Sequence, residues 1–175
     1  ADHSIKAVFE KTGQVADPND TGVSGWLNTK DHNAYLYGYT NGNFGPNNNM
    51  TRGEVAQMFY NLLNEPFRGN ISFKDISDSD WFAEAAGALS QLDIIGGYPD
   101  GTFQPNRAIT RAEFVMMASR FFDMPQAEGV DFSDVAEESW YYQVVSSAAE
   151  AGWISGYPDR TFRPEEHISR GEVAA

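Results

Sequence analysis

Apolar positions along the chain fall into one helical pattern that recurs. Phe114, Met117, Ala118, Phe121 and Phe122 stand at i, i+3, i+4, i+7 and i+8, a stripe down one face of a helix. Val55, Met58, Phe59, Leu62 and Leu63 repeat it 59 residues earlier. Each stripe follows the same punctuation: Met50-Thr51-Arg52-Gly53-Glu54, then Ile109-Thr110-Arg111-Ala112-Glu113, then Ile168-Ser169-Arg170-Gly171-Glu172. The three arginines are spaced 59 residues apart, so the chain is read first as a repeat protein. In each copy Thr51, Thr110 or Ser169 and its partner Glu54, Glu113 or Glu172 fit a capping box. The hydroxyl accepts from the N3 amide, and the Glu returns to the N-cap amide.

A second, shorter helix precedes each of these in the middle and last copies. From Trp81, apolar residues recur at Ala85, Ala88, Leu89 and Leu92. The oxygens of Ser77-Asp78-Ser79-Asp80 are candidate N-caps, and Gly96-Gly97 is the expected stop. Tyr98-Pro99-Asp100-Gly101 then reads as a type I turn. The last copy repeats the series as Phe132-Ser133-Asp134, Trp140 and Gly156-Tyr157-Pro158-Asp159. The first copy keeps the back half, with Tyr39-Thr40-Asn41-Gly42, but has no equivalent first helix.

These boundaries divide the chain into a leader strand and linker (1–22) and three motifs: 23–64, 65–124 and 125–175. The leader strand is expected at Ser4 to Glu10, where Ile5, Ala7 and Phe9 alternate. The last motif reaches Ala175 about one turn into its second helix, so self-association through this short motif is expected. The fold expected is all-α, built from tandem helix-loop-helix repeats whose apolar stripes bury against neighbours.

Composition narrows the partners. Twelve Lys+Arg against 25 Asp+Glu give a formal net charge of −13, which disfavours nucleic acid and anionic membrane surfaces. No apolar run approaches a membrane span, so membrane insertion is not expected. Cysteine is absent, which excludes disulfides and thiolate chemistry. His3, His32 and His167 have no metal-ligand spacing, and Asp75, Asp78 and Asp80 are out of register with a calcium loop. No metal or cofactor is expected. Neither a nucleophile elbow nor a phosphate-binding glycine loop is found, and no carboxylate pair is singled out by spacing, so no catalytic residue is named.

Phe73-x-Asp75, Trp81, Gly97-Tyr98-Pro99-Asp100-Gly101-Thr102-Phe103-x-Pro105 and Ile109-Thr110-Arg111-Ala112-Glu113 together resemble the S-layer homology motif. The resemblance extends over nearly all of residues 26–175, with Thr40-Asn41 in place of Pro-Asp in the first copy. It implies a pseudo-threefold prism in which the second helices form a central three-helix bundle. It also implies a secreted bacterial surface protein, held non-covalently to pyruvylated secondary cell-wall polysaccharide in grooves between motifs. The runner-up is a self-assembly module of a surface layer; a glycan hydrolase is third.

The resemblance makes Arg52, Arg111 and Arg170 principal ligand contacts. Local physics singles them out too, because a cation in a first helical turn opposes the macrodipole and calls for a partner. One reading pairs them with Asp75, Asp134 or Asp100. The other sets guanidinium and helix N-terminus together against a ligand carboxylate. Trp81 and Trp140 are read either as core or as walls for a sugar ring, and Tyr98, Tyr157 and Tyr39 likewise. Gly97 and Gly156 are expected to serve the backbone first and to let a ligand approach the main chain. Asp75 and Asp134 complete the candidate ligand-binding set.

Overall fold

The computed structural model describes residues 25, 27–29, 34–122, 124, 126, 127 and 129–174. The expected leader strand, with His3 and His32, lies outside the described residues. Among the described residues five helices are formed: α1 (Arg52–Asn61), α2 (Ala83–Gln91), α3 (Arg111–Ser119), α4 (Tyr142–Glu150) and α5 (Arg170–Ala174). The described residues form no sheet; isolated antiparallel bridges join Leu27 to Leu63, Thr51 to Ala108 and Thr110 to His167. The all-α expectation holds at that level. No helix among the described residues is long and apolar enough to cross a membrane.

The chain divides into two compact units, and they do not follow the motif boundaries. One holds residues Gly25–Phe44 and Asn49–Ile109; the other includes Gly45–Asn48 and Thr110–Ala175. Each unit therefore joins the second helix of one motif to the first helix of the next.

In the unit holding α1 and α2, these two helices pack face to face. Val55, Ala56, Met58 and Phe59 on α1 are buried, as are Ala83, Ala85, Ala86, Ala88 and Leu89 on α2. Small residues on α2 permit close approach. Gly69 runs so near the helix that a Cβ on Gly87 would stand 2.6 Å from its carbonyl oxygen. No helix is formed by described residues between 25 and 44. Leu27 and Asn28 instead meet the end of α1, where Leu27 bridges to Leu63 and the Asn28 N–H donates to the Leu62 carbonyl at 2.8 Å.

In the other unit α3 packs on α4. Phe114, Val115, Met117 and Phe121 face a core with Val144, Val145 and Ala148. Ser146 occupies the position 59 residues after Gly87, and its buried hydroxyl finds no hydrogen-bond partner.

The first helices begin and end differently from expectation. Trp81 and the Ser77–Asp80 oxygens precede α2 without capping it: the N-cap position is Phe82, with no side-chain cap bond. The Asp80 carboxylate instead accepts from the Ser77 N–H at 2.8 Å, closing a turn ahead of the helix. The stop is not Gly96-Gly97 either. Asp93 takes a left-handed φ of 57°, and Gly152 takes 73° at the equivalent place. The following amides, Ile94 and Trp153, then return to the carbonyls of Leu89 and Ala148, each at 2.9 Å. The glycine at 152 is the sequence signal for this stop, and Asp93 conceals it in the middle copy.

Candidate functional site

The capping boxes form as read: Thr51 with Glu54, and Thr110 with Glu113, each make both reciprocal bonds. In the last copy Ser169 and Glu172 do the same, with the Ser169 N–H 2.8 Å from the Glu172 carboxylate. What the capping box leaves open is closed by the following loop. The first two amides of α1, Arg52 and Gly53, donate to the carbonyls of Arg107 and Pro105 at 2.9 and 2.8 Å. Those of α3, Arg111 and Ala112, donate to Glu166 and Pro164 at 2.9 and 3.0 Å. Arg170 and Gly171 donate to Asn48 and Pro46. All the orphan amides of these first turns are thereby satisfied within the protein. The reading in which the helix N-terminus itself faces a ligand anion is corrected: protein carbonyls already occupy it.

The arginines are buried, at 7%, 2% and 3% exposure for Arg52, Arg111 and Arg170. The Arg52 Nε donates to the Phe103 carbonyl at 2.8 Å, and its Nη2 donates to the Gly96 carbonyl at 2.8 Å. Its guanidinium lies 4.7 Å from the Phe103 ring centre and 5.0 Å from that of Tyr98. Arg111 repeats this with the next copy. Its Nε donates to the Phe162 carbonyl at 2.9 Å, and the guanidinium lies 4.8 and 5.1 Å from the Phe162 and Tyr157 rings. Carbonyl dipoles and ring faces thus compensate a cation that the helix dipole disfavours.

The carboxylate partner of Arg111 is Glu172, at 2.9 Å, rather than Asp75, Asp134 or Asp100. Glu172 also accepts from the Tyr157 hydroxyl at 3.3 Å. Burial raises the Glu172 carboxyl, but the Ser169 amide and hydroxyl, the Arg111 charge and Tyr157 together hold it below the ordinary range. Burial also pushes the Tyr157 hydroxyl up.

Asp75 and Asp134 have a backbone role. Asp75 accepts from the amides of Phe103 and Gln104 at 2.7 and 2.8 Å, and Asp134 from those of Phe162 and Arg163 at 2.8 Å each. Gln104 and Arg163 sit at φ of 57° and 59°, a left-handed conformation that L side chains disfavour. The carboxylate clamp holds them there. The first copy carries Gly45 at this place, with φ 65°. Asp100 and Asp159 stabilise the turn locally, each accepting from the amide and hydroxyl of the Thr two residues on, which lowers both carboxyls. Asn41 does the same for the Asn43 amide at 3.0 Å, so the first copy forms the equivalent turn without Pro-Asp.

Gly97 and Gly156 are fixed by crowding. A Cβ would stand 2.7 Å from both the Phe73 ring and the Thr102 carbonyl in one copy, and 2.4 and 2.7 Å from Phe132 and Thr161 in the other. Trp81 and Trp140 are not core residues: they are 63% and 57% exposed. Each is braced edge-on by the next aromatic, Phe82 or Tyr141, with ring centres 5.2 and 5.1 Å apart. Tyr98 and Tyr157 are half-buried. Among the described residues no group of three or more His, Cys, Asp or Glu is placed to hold a metal ion.

Residues 33–56, 72–115 and 131–174 each match the S-layer homology domain, together over half of the chain. The chain belongs to the S-layer homology family. It is 40% identical over 158 residues to a cellulosome-anchoring protein of Acetivibrio thermocellus, spanning 84% of this chain and 35% of that one. It is 34% identical over 177 residues to cell surface glycoprotein 1 of the same organism, spanning 93% and 8%. An amylopullulanase of Thermoanaerobacterium thermosulfurigenes is 32% identical over 180 residues, spanning 97% and 10%. The chain spans about a third or less of the length of these relatives. Membership in this family makes it a cell-wall- or surface-associated extracellular chain.

Proposed function

We propose that this S-layer homology chain is a non-catalytic module that anchors a bacterial surface protein to the cell wall by binding an anionic, pyruvylated secondary wall polysaccharide. The observation that carries the reading is the pair of solvent-exposed indoles Trp81 and Trp140, each met edge-on by a neighbouring ring, at equivalent positions in a chain whose other tryptophan among the described residues, Trp153, packs edge-on against Phe122. Flat apolar faces held toward solvent suit the apolar face of a sugar ring. The buried arginines Arg52, Arg111 and Arg170 supply positive charge that favours a ligand carboxylate nearby. The motifs 23–64, 65–124 and 125–175, arranged as a pseudo-threefold prism around a central bundle, are part of this reading.

Retention on purified wall sacculi tests it, measured before and after chemical removal of pyruvate and repeated with Trp81→Ala and Trp140→Ala. Retention that depends on pyruvate and on the indoles supports anchoring. Retention unchanged in every arm overturns the mechanism, and turnover of wall material overturns the non-catalytic reading.

A second reading, self-assembly within a surface layer, is favoured by the exposed aromatics Tyr37, Tyr39 and Phe44 in the first copy. Concentration-dependent sedimentation of the protein alone is its expected sign.

A further inference from the structure

The turn of the first copy differs chemically from its counterpart in the second. Tyr98-Pro99-Asp100-Gly101 carries a carboxylate before its glycine, and Tyr39-Thr40-Asn41-Gly42 carries a carboxamide. The two turns are otherwise built alike. The Tyr39 N–H donates to the Asn43 carbonyl at 2.8 Å, and the Gly42 N–H donates to the Tyr39 carbonyl at 2.9 Å. The matching bonds, Tyr98 to Thr102 and Gly101 to Tyr98, are 2.8 and 2.9 Å. Gly42 and Gly101 take left-handed φ of 81° and 83°. Residues 39–43 are all exposed.

A carboxamide directly before a glycine can react with its own backbone, and Asn41 is the one asparagine of the chain that glycine follows. The nucleophile is the Gly42 nitrogen and the electrophile is the Asn41 Cγ. Three observations favour their reaction here. The Asn41 Oδ1 accepts from the Asn43 N–H at 3.0 Å, which sets a donor on the oxygen where negative charge develops during attack. Gly42 has no side chain to shield the nitrogen, and no atom of the described residues lies within 4 Å of where its Cβ would stand. The Gly42 N–H bond to Tyr39 must open first, but it closes only an exposed turn, and such bonds open at little cost.

We propose that Asn41-Gly42 is a self-modifying site, at which the first copy slowly acquires the carboxylate that the other copies carry at Asp100 and Asp159. Hydroxide removes the Gly42 amide proton, and the nitrogen bonds to the Asn41 Cγ. The Cγ–Nδ2 bond then breaks, and the nitrogen leaves as ammonia after taking a proton from water. The product is a five-membered succinimide. Water opens this ring at either carbonyl. Cleavage of the new Cγ–N bond leaves aspartate at position 41 in an ordinary backbone; cleavage of the original peptide C–N bond leaves isoaspartate, with the backbone routed through Cβ and Cγ. Aspartate keeps the acceptor for the Asn43 amide, as Asp100 does for Thr102, so the turn survives with one more negative charge. Isoaspartate lengthens the backbone inside the turn and breaks the Tyr39–Asn43 pairing. Neither step needs a wall ligand, so this site stands apart from the anchoring reading.

The test follows the whole chain in ordinary and heavy-oxygen water, at neutral and at mildly alkaline pH, with peptide mass spectrometry to locate each change. Asn41 is expected to gain one mass unit, two units more in heavy-oxygen water, ahead of every other asparagine and faster at the higher pH. Enzymatic methylation of isoaspartate is expected to label the same peptide. Asn41→Gln, which must close a six-membered ring, is expected to react at least about 10-fold more slowly. Asn41→Asp is expected to keep the thermal midpoint of the unmodified chain. A mass gain spread evenly over the asparagines overturns the proposal, as does reaction at Asn41 only when urea has unfolded the chain. An unchanged rate in Asn41→Gln overturns the succinimide route, and a lowered midpoint in Asn41→Asp overturns the equivalence of the two turns.

Discussion

Arg111 and Phe162 are joined twice, by the Nε–carbonyl hydrogen bond of 2.9 Å and by a guanidinium 4.8 Å from the ring centre. The same side chain pairs with Glu172 while only 3% exposed. Arg111→Ala is therefore expected to lower stability by about 2–4 kcal/mol, because it leaves a buried carbonyl and a half-buried carboxylate without their cation. Arg111→Lys, lacking the planar fork, is expected to recover less than half of that. Urea unfolding measures both. Wall binding by these variants is interpretable only at temperatures where they remain folded.

Glu172 couples stability to pH. Its carboxyl is held below the ordinary value, so the folded state binds the proton less tightly than the unfolded chain. The stabilisation is fully present above the unfolded value of about 4.3 and is lost as pH falls through the lower folded value. Unfolding free energy measured from pH 6 to pH 2.5 is expected to fall, and to fall less steeply in Glu172→Gln. Parallel pH profiles of the two proteins would refute this coupling.

Gly87 and Ser146 occupy the same repeat position with opposite outcomes. A Cβ on Gly87 meets the Gly69 carbonyl oxygen at 2.6 Å, so Gly87→Ala is expected to destabilise by about 1–3 kcal/mol. Ser146 carries a buried hydroxyl without a partner, so Ser146→Ala is expected to stabilise by about 1 kcal/mol. Thermal unfolding of the two variants should shift in opposite directions.

Asp75 is the clamp on a left-handed Gln104. Asp75→Ala is expected to cost about 1–2 kcal/mol, and Gln104→Gly, which needs no clamp to reach that φ, is expected to recover part of it. A double-mutant cycle reads the coupling, and strict additivity would sink it.

Trp81 and Trp140 are separable from the fold. Each leaves more than half of its surface in solvent, so truncation to Ala is expected to change stability by no more than about 0.5 kcal/mol. Sacculus retention should nonetheless fall. Loss of folding in either variant would mean that the indoles brace the loops rather than meet a ligand.

The sequence by itself determined the capping boxes and the helical stripes, because these depend on residues within four positions of one another, and the repeat, because the same pattern returns every 59 residues. It also marked the arginines as needing a partner, since the dipole penalty is local. Tertiary structure alone decided what that partner is. The carbonyls that meet the Arg52 and Arg111 side chains and helix amides lie 44 to 55 residues downstream, in the loop of the following copy. Helical periodicity placed Trp81 on the buried stripe, but the start of α2 at Ala83 leaves it outside the helix and in solvent. The different origin of the second arginine near Tyr98 and Tyr157 was equally invisible, because Arg107 and Arg163 stand three positions apart in the repeat and yet each comes within reach of its tyrosine ring. Spacing along the chain records which residues recur; which faces they share depends on how the loop of one copy folds against the helix of another.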